Sequence, residues 1–179
     1  QYFEPYKNHK AVKATQDILN KTQDIGGMLF QGVLYAEELP KSRMMYEPAY
    51  LFWKEHKADL SAYMKALEEF YKDAKVDQFF IAHKHFYDGA VSEANVYINN
   101  AMPGAMEQYF GKSFDQYNLY ILPLSPYGWG FSATTGKNLH AIVSPVGNTE
   151  YKDNLADYKE YGFSGAEAKG HFRELVTHE

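Results

Sequence analysis

An α+β fold is what this sequence predicts, on three observations. Apolar residues recur at helical spacing through the first 112 residues, the texture turns β-rich and glycine-broken after Gly111, and helical spacing returns at the end. Taken in order, "HKAVKATQDILNKTQDI" predicts a helix stopped by Gly26-Gly27. "MLFQGVLYAEELP" is apolar and fits helix or strand until Pro40 ends it. "DLSAYMKALEEFYKDA" carries Leu60, Tyr63, Met64, Leu67 and Phe70 at spacings of three and four, the stripe of an amphipathic helix. "VDQFFIAHKHFYDGAVSEANVYINNA" predicts a second long helix with Asp77 as its N-cap, and "PGAMEQYF" a short one with Pro103 in its first turn and Gly111 past its end. "QYNLYILPL" is β-rich, "YGWGFSATT" fits a glycine-broken strand or a loop, and "NLHAIVSPV" is a further short strand, which together predict a small, mostly antiparallel sheet. In "SGAEAKGHFRELVTHE", Ser164 and Glu167 form a capping box, and Phe172, Leu175, Val176 and Glu179 continue the helical stripe. The expected layout is a single domain over 1–179, helical over 1–112, with sheet and terminal helix over 113–179.

Composition narrows the functions. A formal net charge of −5 with no basic run argues against nucleic acid or an anionic membrane surface as partner. With no cysteine, disulfides, thiolate zinc sites and cysteine nucleophiles are excluded. No apolar run approaches the roughly 20 residues a transmembrane helix needs. Tyr 16 and Phe 12 against Trp 2 suit both a core and a moist binding cleft, because tyrosine is apolar along its ring and polar at its tip. The first residue is Gln rather than Met, so a processed front with an export signal already removed is expected, and a secreted, periplasmic or cell-surface location with it.

The last two residues, His178 and Glu179, open the pattern H-E-x-x-H. Composition alone supplies about half of one His-Glu pair by chance, so the dipeptide has meaning only through its setting. On a helix, two His four apart grip one Zn²⁺, and the Glu beside the first can take a proton from zinc-bound water. A rival face, His171, Glu174 and His178, runs i, i+3, i+7 along the same predicted helix and offers three ligands without further residues. His83 and His85, two apart on a helix, point to nearly opposite sides and do not share an ion. Gly128, Gly130 and Ala133 mimic a dinucleotide fingerprint, but strand-like residues follow where a helix N-terminus is required. Thr134 stands where the G-x-S-x-G motif needs its last glycine, so Ser132 has no support as a nucleophile.

The run "AMEQYFGKSFDQYNLYILPLSPYGWGFSATTGKNLHAIVSPVG", followed by "FRELVTHE", resembles a family of uncharacterised, mostly exported bacterial proteins. Its domain of unknown function is placed among the zincin-type zinc metallopeptidases. The matching points are Tyr109-Phe110-Gly111, Tyr127-Gly128, Ala141-Ile142-Val143 and His178-Glu179, and coverage runs from about Leu60 to the end. The resemblance implies a hydrolase using Zn²⁺, with His178 as first metal ligand, Glu179 as catalytic base and a peptide or protein as substrate. The expectation is that the remaining ligands and the C-terminal part of the domain lie beyond Glu179, so that the 179 residues alone are inactive. In zincin-type enzymes the substrate backbone pairs with an edge strand beside the active helix. By analogy "NLHAIVSP" is expected to provide that edge, with His140 and Ala141 at the cleft and Tyr127, Trp129 and Phe131 walling a side-chain pocket. The alternative is a non-catalytic module binding peptide or glycan at a cell surface.

Overall fold

The structure, a computed structural model, describes residues 2–22, 27–96, 98, 101–125, 130–145, 152 and 154–163. Helices α1 (Lys10–Thr22), α2 (Gly27–Leu34), α3 (Leu51–Glu55), α4 (Lys57–Asp73), α5 (Val76–Ala82), α6 (Lys84–Asn95) and α7 (Met102–Phe110) precede strands β1 (Gln116–Ile121), β2 (Gly130–Thr135) and β3 (Asn138–Val143). A short 3-10 turn, Leu155–Asp157, follows. This is an α+β fold. The backbone groups into two compact units, Gln1–Ile81 and Ala82–Glu179.

In the first unit the α4 stripe does what its spacing demands. Leu60, Tyr63 and Met64 are buried with Ile18 of α1, Leu29 of α2, Tyr35 and Trp53 of α3, and Leu67 packs at the margin. Phe70, one turn further, meets the rings of Phe3, Tyr6 and His9 instead. Trp53 is fully buried and satisfies its indole by donating Nε1–H to the Met28 carbonyl at 2.8 Å. The pairs Lys10–Glu69 and Lys21–Asp59 join the two ends of α1 to opposite ends of α4, so these helices run antiparallel. Gly32 lets α2 approach closely: a Cβ there would stand 2.8 Å from Leu60 Cδ1 and 3.0 Å from the Trp53 ring.

The long helix expected from Val76 to Ala101 is broken. His83, at φ −112° and ψ 20°, separates α5 from α6, and its carbonyl accepts the first hydrogen bond of α6, from Phe86 N–H. Asp77 lies in the first turn of α5 rather than capping it, behind Lys75 in the left-handed region at φ 49°. Apolar periodicity hides the break, because Phe79 and Phe86, seven apart, read as one stripe while each is buried in a different unit.

In the second unit α7 closes on Gly111, whose φ of 65° takes up the left-handed C-cap. The sheet has order β1-β3-β2, with β1 parallel and β2 antiparallel to β3. It is therefore mixed, not mostly antiparallel. β2 and β3 form a two-residue hairpin, and β1 pairs with the opposite side of β3. On one face Leu119, Ile121 and Val143 pack against Phe86, Ala90 and Ala94 of α6, together with Tyr158, Tyr161 and Phe163. The predicted terminal helix, residues 164–179, lies outside the described residues, as do residues 146–151 and 153 of the polar stretch before it.

Candidate functional site

His178 and Glu179 lie outside the described residues, with the rival ligands His171 and Glu174 and the nominated aromatics Tyr127 and Trp129. His140, Ala141 and Phe131 are described, and the sheet decides what they can do. Gly136, at φ 59°, is the first of two loop residues between Thr135 and Asn138, the position a type II′ hairpin reserves for glycine. That turn sets the register: Phe131 opposite Ile142, Ala133 opposite His140, Thr135 opposite Asn138. In the parallel ladder, Asn118 pairs with His140 and Tyr120 with Ile142.

The register corrects one expectation. β3 is the middle strand, with β1 on one side and β2 on the other, so its backbone cannot accept a substrate strand. His140 and Ala141 also alternate to opposite faces, Ala141 sharing a face with Leu119's row and His140 with Phe131. They do not line one cleft together.

His140 is instead the centre of a polar cluster. It is 8% exposed, and Thr135 beside it 2%. The Thr135 hydroxyl lies 2.7 Å from Nε2 and the Tyr120 hydroxyl 3.3 Å from Nδ1, the Tyr120 ring nearly parallel to the imidazole at 5.8 Å. A neutral imidazole carries one N–H and one lone pair, so one hydroxyl donates to the ring and the other accepts from it. Burial pushes the His140 pKa below its ordinary value, which keeps the ring neutral at pH 7. With both nitrogens engaged, the imidazole ties β1, β3 and β2 together across one face, and metal ligation by it requires one hydroxyl to leave.

Thr135 and Tyr120 were not singled out by the sequence reading. Thr135 was within reach: recognising Gly136-Lys137 as a two-residue hairpin loop puts Thr135 and His140 on one face. Tyr120 depends on a parallel pairing between strands that are not consecutive, which no local pattern announces. Elsewhere, Tyr117 donates to Glu107 of α7 at 2.8 Å, and burial first, then the Glu107 carboxylate, raises its phenol pKa. Among the described residues no three His, Asp or Glu side chains are grouped to hold a metal. Among the described residues, no helix is long and apolar enough to cross a membrane. Comparison with family models, curated proteins and solved structures returns no match for this chain.

Proposed function

We propose that the chain belongs to a zinc-dependent peptidase, with His178 as a metal ligand and Glu179 as the general base. One observation carries the reading: the order of pieces around the His-Glu pair. A helix closes on Tyr109-Phe110-Gly111, then come a strand, a glycine-rich stretch, and a hairpin whose last strand ends at Val143, two residues before Pro145, all ahead of "FRELVTHE". These pieces contain, in the same order along the chain, the points on which the resemblance rests: Tyr109-Phe110-Gly111, Tyr127-Gly128, Ala141-Ile142-Val143 and His178-Glu179. When bound, Zn²⁺ supplies polarisation of the scissile carbonyl and a lowered pKa for its water. Glu179 takes the water's proton and delivers it to the leaving amine. His178 supplies its imidazole as a neutral donor, and grip at working affinity needs two further ligands. Tyr127, Trp129 and Phe131 wall the side-chain pocket in this reading, and the substrate backbone does not pair with β3.

The test uses the natural gene product. Its peptide spanning His178, read by tandem mass spectrometry, is expected to carry a His four positions after His178, and the protein to bind zinc one to one. Glu179→Gln is expected to lower kcat for peptide cleavage by about 10²–10⁴-fold with zinc content unchanged. A Glu179→Gln protein cleaving at the normal rate refutes the mechanism. One observation favours a second reading, a non-catalytic peptide- or glycan-binding module: Tyr109 and Phe110 stand 83% and 64% exposed side by side. A gene product without zinc and without cleavage selects it.

A further inference from the structure

The stretch from Asn154 to Phe163 contains one three-residue turn and no strand, yet Tyr158, Tyr161 and Phe163 in it are buried. Its hold on α6 has two parts. The first is aromatic: Tyr158 and Tyr161 stack on each other at 6.3 Å, and each makes a T-shaped contact with Phe86. Tyr161 fills a slot that exists because residue 89 is glycine, since a Cβ there would lie 2.2 Å from the Tyr161 hydroxyl. The second is polar: the Glu93 carboxylate accepts Tyr161 N–H on Oε2 at 3.0 Å and Phe163 N–H on Oε1 at 2.7 Å. Gly162 between them, at φ 81°, turns both N–H groups toward one carboxylate.

We infer that residues 154–163 form a releasable strap on α6, latched by the single side chain of Glu93. Two backbone amides depend on one carboxylate, and charge-assisted acceptors of this kind are the strong ones. Loss of the carboxylate strips the latch while leaving the strands beneath intact, so the strap opens as a local unit rather than with the whole fold. The inference stands on the Glu93 geometry and holds whether or not the peptidase reading does.

Amide hydrogen exchange on the intact chain tests it. In Glu93→Ala the Tyr161 and Phe163 amides are expected to exchange at least about tenfold faster, while the amides of β3 keep their protection. Glu93→Gln, which preserves size and one acceptor oxygen, is expected to give a smaller acceleration at the same two amides, and it is the readout if the alanine variant does not fold. Gly89→Ala, which evicts the Tyr161 ring without touching the carboxylate, is expected to accelerate the same pair. Unchanged exchange at Tyr161 and Phe163 in the Glu93 variants overturns the latch. Acceleration of β3 by the same factor overturns the strap as a separable unit.

Discussion

At the scale of single residues, the imidazole of His140 sets the sign of a pH effect. Its pKa in the folded chain is depressed by burial, while in the unfolded chain it titrates near the ordinary value of about 6.5. Above that value both states are neutral and the residue's contribution is fully present. As pH falls below it, the unfolded chain takes up the proton first, and stability declines until the folded ring titrates too. Urea midpoints measured from pH 8 to pH 5 are therefore expected to fall more steeply for the natural chain than for His140→Gln, and parallel curves would sink this account. Thr135→Val removes the hydroxyl at 2.7 Å from Nε2 and leaves a buried ring nitrogen unsatisfied. The expected cost is about 1–3 kcal/mol in the same denaturation measurement. His140 was named from sequence for a backbone task, and the structure gives its side chain a different one. The edge position was expected by analogy with zincin-type enzymes, whereas the place of β3 in the sheet is decided by its pairings with β1 and β2.

Elements were more legible than their joints. The α4 stripe, the Pro103 start and Gly111 stop of α7, and strands β1 and β3 follow directly from periodicity and punctuation, while the segment of β2 fits strand or loop equally in sequence. The break at His83 was not legible, because neither glycine nor proline marks it and the apolar stripe runs on through it. Helix α3 escaped for another reason: five residues are too few to display a period. Gly32 shows how an interior glycine in a helix acquires meaning only from its neighbours. Substituting alanine forces a methyl against Leu60 and the rigid indole of Trp53, and the expected cost is about 1–3 kcal/mol, read as a lowered thermal midpoint. An unchanged midpoint would mean that α2 can lift away from α3 and α4 without penalty.

For the whole molecule, charge and class were the safest readings. A net charge of −5 and a sequence isoelectric point near 5.8 place the solubility minimum close to pH 5.8, measurable by precipitation across about two pH units on either side of it. The α+β class followed from the change of texture at Gly111. The candidate site was the least legible part, because the meeting of Tyr120 with His140 depends on a parallel pairing between strands that are not consecutive.

The position of β3 between its two partners also has a meaning in time. The hairpin with β2 closes across two residues, whereas β1 must join β3 from more than a dozen residues away along the chain. Short loops close faster and at lower entropic cost, so the β2–β3 hairpin is expected to assemble first and to present the template on which β1 docks. Replacing Gly136, which holds the left-handed loop position, is then expected to slow folding. Trimming Leu119 on β1 is expected chiefly to hasten unfolding, a division that a chevron plot of the two variants reads directly.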